Sequence, residues 1–109
     1  MTQTAIVAGP DPDGLGEALE AEGLAICRID DQVSRATLTE AGVTEAHLLV
    51  LTDMAEATGV VLAKDENPDI RAVFYSRESL PEFAKAQTDL AVDPELLEVS
   101  VVAEELAAA

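Results

Sequence analysis

The chain has 109 residues, with 22 acidic side chains against six basic ones and a formal net charge of −16. That length suits one domain with one core and is too short for a nucleotide domain followed by a separate catalytic one. Nucleic acid is excluded as an expected partner, because binding it requires a basic stripe to neutralise phosphates.

The apolar runs Thr4–Ala8 and Leu48–Leu51 are far too short to cross a bilayer, so no direct membrane insertion is expected. No signal peptide opens the chain, and the expected location is cytoplasmic. Hydrophobic residues make up 49% but aromatics only 3%, so the core must be built from Ala, Val, Leu and Ile. The acids are scattered, with no run longer than the pairs Asp30–Asp31, Asp65–Glu66 and Glu104–Glu105, as on a solvated surface. Self-repulsion of this size opposes folding in dilute salt, whereas at molar salt a Debye length of roughly 3 Å screens it. With Lys64 and Lys85 as the only lysines, the composition resembles that of extreme halophiles, with an acidic interaction module in an ordinary cell as the alternative. Cys27 stands alone, which excludes an intramolecular disulfide, and its place in a strand suggests a buried, inert thiol.

Strand-like and helix-like segments alternate along the whole chain, the βαβ pattern. Thr4–Ala8 reads as a central strand buried on both faces, ended by the loop GPDPDGLG. Leu15, Ala18 and Leu19 share one face of the helix that follows, and Gly23 stops it. Leu24–Ile29 is the second strand, ending at Asp30–Asp31. Thr37 and Glu40 have the spacing of a capping box for a short helix that Gly42 ends. His47–Leu51 is the third strand. Asp53, with Glu56 at the third position, caps a longer helix that stops before Asn67–Pro68. Ile70–Tyr75 is the fourth strand, and Ser79 with Glu82 opens a helix through Ala86. Leu90–Val92 is the fifth. Asp93 as cap and Pro94 at the first helical position begin the last helix, in which Val99, Val101 and Val102 disfavour helix.

Five strands joined by right-handed helical crossovers, with a reversal after the first, predict a three-layer Rossmann-like α/β sandwich with a five-stranded parallel sheet of order 2-1-3-4-5. Ligands of such sheets bind beyond the carboxyl ends of the strands, at the switch point between the first and third. The candidate site is therefore Gly9, Asp11, Asp13, Gly14 and Gly16 of the first loop, Asp30 after the second strand, and Thr52 and Asp53 after the third.

Over nearly its whole length the chain resembles the RCK or KTN nucleotide-binding domains that regulate potassium channels and transporters. The likeness rests on TAIVAG with its glycine loop, LAICRID, EAGVTEAHLLVLTD, IRAVFYSRESLPEFAKAQTDLAVDP and the final EELA. The resemblance implies NAD or another adenine nucleotide as cofactor, with the glycine loop against the pyrophosphate and Asp30 on the ribose. It also implies a homodimer or a regulatory protein partner. The loop departs from GxGxxG: aligned on Gly16 it places Asp11 and Asp13 at glycine positions, and aligned on Gly9 it still places Asp11 at the middle one. At an effective dielectric of 20, a carboxylate 4 Å from a phosphate charge opposes binding by about 4 kcal/mol. Three readings of the loop stand side by side: a nucleotide site, a turn held by Asp caps, and a hard-cation site built on Asp11, Asp13, Asp30 and Asp53.

The chain also resembles small haloarchaeal proteins described as CTP synthetases. That activity requires an ATP loop with Lys after its glycines and a glutaminase Cys–His–Glu set, whereas here DGLG is followed by Glu17, Cys27 is in a strand and His47 is the sole histidine. No serine has a GxSxG setting. Arg77, after the fourth strand, faces either the crevice or a salt bridge. The function expected is a regulatory domain acting through dimer or partner contacts, with a structural or interaction module that has lost nucleotide binding as the alternative and a small enzyme as the third class.

Overall fold

Alternation within each strand decides which layer a side chain enters. Along β1 (Thr4–Ala8), Ile6 and Ala8 face one side of the sheet while Ala5 and Val7 face the other, and all four are buried. Leu49 and Leu51 of β3 (Leu48–Leu51) likewise oppose Leu48 and Val50. Continuous apolar strands buried on both faces need a helical layer on each side. The computed structural model of the chain, which describes residues 3–11, 13–29, 32–53, 57–77 and 82–108, has that arrangement.

The remaining strands are β2 (Ala25–Ile29), β4 (Arg71–Tyr75) and β5 (Leu90–Val92), and all pairings are parallel in the order β2-β1-β3-β4-β5. The predicted sheet is thus the observed one. One core layer packs α2 (Arg35–Glu40), α3 (Thr58–Glu66) and α4 (Glu82–Lys85) on the sheet through Leu38, Val60, Ala63 and Ala84, with Phe74 as its largest ring. The other packs α1 (Leu15–Ala21) and α5 (Val99–Ala108) through Leu15, Leu19, Val102, Ala103 and Leu106. Switching sides after β1 leaves the carboxyl ends of β1 and β3 adjacent, with their helices diverging to opposite faces.

Several helix boundaries differ from the sequence-based expectation. Thr37 is not the cap of α2 but its third residue. The cap is Ser34, whose Oγ accepts the Thr37 N–H at 3.2 Å while Thr37 Oγ1 accepts the Ser34 N–H at 2.8 Å. A threonine here takes the reciprocal role usually given to Glu or Gln. Asp53 does not cap α3, which begins at Thr58 after Ala57, and Glu56 and Ser79 lie outside the described residues. Asp93 accepts the Glu95 N–H on Oδ1 at 2.9 Å, but this holds an isolated turn, and the regular helix begins only at Val99. The valines of α5 stay helical because Val102 is buried against the sheet, where packing outweighs the small intrinsic penalty. Cys27 is half-buried on the edge strand β2, not enclosed in the core.

Candidate functional site at the carboxyl edge of the sheet

The first loop begins with a conformation that glycine favours. Gly9 ends β1 at φ +96°, and a Cβ there would lie 2.8 Å from Thr52 Oγ1 and 3.3 Å from the Asp53 backbone nitrogen. Loop and β3 end are therefore in close contact, and the Thr52 hydroxyl donates to the carbonyls of Ala8, at 3.3 Å, and Pro10. Asp11 then turns back over the start of α1. Its Oδ1 accepts the Leu15 N–H at 2.9 Å and its Oδ2 the Gly16 N–H at 2.8 Å, while Gly14 occupies the cap position at φ +73° with no side chain of its own to offer.

The charge of Asp11 is balanced from β2, where Arg28 Nη1 lies 3.5 Å from Asp11 Oδ2. The guanidinium lies against Gly16, so that a Cβ at that position would sit 2.6 Å from Arg28 Nη2. Asp13 is engaged from the other side: Arg77, just after β4, reaches its two carboxylate oxygens at 3.3 and 3.4 Å and donates through Nε to Glu95 at 3.0 Å. Hydrogen bonds with Asp13 and then Glu95 hold the Arg77 guanidinium still more firmly protonated than usual. Between these groups lies a crevice of about 210 Å³ lined by Asp11, Asp13, Thr52, Tyr75, Ser76, Arg77 and Pro94. Burial, reinforced by Asp13, raises the Tyr75 phenol above its ordinary value, so it stays protonated.

The structure thus brings Asp11, Asp13 and Thr52 to one crevice, with Gly9, Gly14, Gly16 and Asp53 shaping its loop, while Asp30 lies outside the described residues. Of the two uses the sequence left open for Arg77, it makes both, as a lining residue and an ion-pair partner. Tyr75, Ser76 and the pairing of Arg28 with Asp11 were not foreseen; the position of Tyr75 and Ser76 at the end of a strand was the available signal. The amides that open α1, where a pyrophosphate would be received in a dinucleotide fold, already hold an internal anion in Asp11. Among the described residues no three His, Cys, Asp or Glu side chains gather as metal ligands.

A doubly wound parallel sheet of order 2-1-3-4-5 with helices on both faces has the flavodoxin-like or CheY-like architecture. Solved structures of that kind superpose over essentially the entire chain. An orphan response regulator of H. pylori matches with a TM-score of 0.75 at 12% identity, covering 97% of this chain and 94% of its own. A response regulator from Thermotoga maritima gives 0.72 at 14%, covering 100% of both chains. A CheY-like protein, TadZ, from Pseudomonas aeruginosa gives 0.69 at 15%, covering 100% of this chain and 96% of its own. At these identities the likeness is one of fold. The chain belongs to the family of unknown function DUF7126, whose model matches residues 5–106. No curated protein matches the sequence.

These relationships correct the resemblance to RCK and KTN domains, and with it the expectation of a nucleotide-binding regulator of potassium transport. The solved structures named above that share the fold are response regulators and a CheY-like protein, none of them an RCK or KTN domain. The physical reason is on the loop itself: its aspartates are a helix cap and an ion-pair partner, where the RCK motif requires glycines. No helix among the described residues is long and apolar enough to cross a membrane.

Proposed function

We propose that this domain is a regulatory protein-interaction module that acts through contact, with a second copy of itself as the partner. The observation that carries this reading is where its apolar surface lies. Among the described residues the exposed large apolar side chains are Phe83, Leu90, Leu96, Leu97 and Val101, with Leu96 79% exposed. Phe83 lies on α4, Leu90 on the edge strand β5, Leu96 and Leu97 in the turn between β5 and α5, and Val101 on α5. Single exposed leucines are ordinary, but five exposed apolar side chains drawn from one stretch of chain, residues 83–101, support a contact surface. β5 is also the outer strand, with Leu90 and Ala91 exposed and, among the described residues, no strand paired to its outer edge.

A self-complementary apolar patch suits a two-fold dimer, in which the same surface meets itself. Like charges around it would repel in dilute salt and be screened at molar salt. Response regulators of the same fold lend support for a signalling role. At the carboxyl edge, Asp11, Asp13, Thr52 and Arg77 are engaged with one another or with backbone, which favours contact over chemistry there.

Sedimentation velocity in molar KCl, from micromolar to millimolar protein, tests the reading. A monomer–dimer equilibrium is expected, abolished by Leu96→Glu and by Phe83→Glu with circular dichroism unchanged. A strictly monomeric chain over that range overturns the homotypic contact. A rise in melting temperature with NAD or an adenine nucleotide overturns the view of the crevice as closed by its own side chains.

A further inference from the structure

The opposite edge of the sheet carries a second, larger pocket, of about 350 Å³, where the amino ends of β1, β3 and β4 meet the carboxyl ends of α3 and α5. We propose that it binds a small zwitterion of the α-amino acid class.

The first ground is a cation that no carboxylate holds in a close ion pair, although its charge is felt at Asp89. Arg28, Arg35, Lys64, Arg77 and Lys85 each lie within 3.5 Å of a carboxylate. Arg71 makes no such pair among the described residues, although the chain carries 22 acids. Its N–H donates to the His47 carbonyl at 3.0 Å, while its half-buried side chain lines the pocket. A guanidinium fork of this kind matches a carboxylate in two-point geometry.

His47 supplies the second donor. Its Nδ1 accepts the Thr4 N–H at 3.1 Å, so the proton of the neutral ring resides on Nε2. Gln3 adds an amide on the same wall.

The third ground is the opposite charge beside them. Glu45 and Asp69 line the same pocket, both exposed, and the carboxyl ends of α3 and α5 contribute partial negative charge. A simple anion would meet Arg71 but also two carboxylates; a simple cation would meet the reverse. A molecule carrying a carboxylate and an ammonium on one carbon satisfies both sets at once. Leu48 and Leu106, almost wholly buried, lie beneath the pocket, and the volume falls at the small end of the range for ligand sites.

The test is a thermal-shift screen of the intact chain in molar KCl with each standard L-amino acid, followed by equilibrium dialysis of those that raise the melting temperature. Saturable binding of at least one apolar amino acid is expected. Its desamino acid and its decarboxylated amine, tested alone, should each bind roughly tenfold more weakly or worse. Arg71→Gln should abolish binding, Arg71→Lys should weaken it, and Glu45→Gln, on an exposed side chain, should weaken it without changing the melting temperature of the free protein. Absence of binding by every amino acid overturns the proposal. So does equal affinity for the desamino acid, or binding that survives Arg71→Gln in a variant whose circular dichroism is native.

Discussion

The ammonium of Lys64 lies 2.8 Å from Asp89 Oδ2, and the same oxygen accepts the Ala72 N–H at 2.7 Å. Lys64 also donates to the Ile70 carbonyl at 2.5 Å, so one contact joins the last turn of α3 to the start of β4 and the residue before β5. Partial burial pushes the Asp89 carboxyl upward, but the hydrogen bonds from Lys64 and Ala72, with the positive charges of Lys64 and Arg71, together outweigh it and leave the carboxyl below its ordinary 3.8. A depressed carboxyl contributes stability above its unfolded value and loses it as the pH falls through its folded one. Asp89→Asn should therefore cost about 1 kcal/mol at neutral pH, after discounting for exposure. In urea denaturation in molar KCl, the gap from the parent protein should close as the pH falls below 3.8. A gap independent of pH contradicts this account.

Asp11 carries the amino end of α1 almost alone, because Gly14 at the cap position has no side-chain acceptor. Asp11→Ala frees the Leu15 and Gly16 amides and leaves Arg28 without its carboxylate. The expected loss is about 1–2 kcal/mol, the upper part of the range for a helix cap. Asp11→Asn retains an acceptor and should lose less. Chemical denaturation of the two variants side by side distinguishes a cap from a charge effect: equal losses would assign the role to charge.

Gly9 and Gly14 both have positive φ, yet they should differ in tolerance. A Cβ at Gly14 meets nothing within 4 Å, whereas at Gly9 it would lie 2.8 Å from Thr52 Oγ1 and 3.1 Å from Asp53 Cβ. Gly14→Ala should cost about 1–2 kcal/mol for the left-handed backbone alone. Gly9→Ala adds a clash at the end of β3 and should cost about 2–4 kcal/mol. Melting temperatures ranked in the reverse order would rule out the close approach of loop and strand as the reason for glycine.

A salt requirement is expected from dimensions. The molecule measures 33 × 29 × 23 Å, and at ~10 mM salt the Debye length is about 30 Å, so each acidic side chain feels nearly every other. At molar salt the length is roughly 3 Å and only near neighbours interact. Circular dichroism should show cooperative melting in molar KCl and loss of structure on dialysis to ~10 mM. A cooperative transition of equal midpoint in both would refute halophilic adaptation.

Strand positions and sheet order were legible in the sequence because a parallel strand buried on both faces announces itself locally, as TAIVA and LLVL do. Helix starts were less so. Ser34 and Thr37 satisfy each other with a threonine in the place where Glu is expected, and Asp53 carries the form of a cap although α3 has Ala57 at its cap position. The candidate crevice was legible as a location but not as a chemistry. Asp11 and Asp13 read equally well as phosphate-repelling, cation-binding or structural residues until their partners are known. Those partners, Arg28 and Arg77, come from β2 and from the end of β4, and nothing local to the loop specifies them.

The cationic side chains also set how freely such a sequence can drift. Arg28 to Asp11, Arg35 to Glu66, Lys64 to Asp89 and Arg77 to Asp13 each fasten segments well separated along the chain. With 22 acids and six bases, a lost carboxylate usually has a neighbour of the same kind, but a lost base has no substitute. Mutational tolerance in this protein should therefore be lopsided, with a permissive acidic exterior and a few positively charged positions that admit almost no exchange.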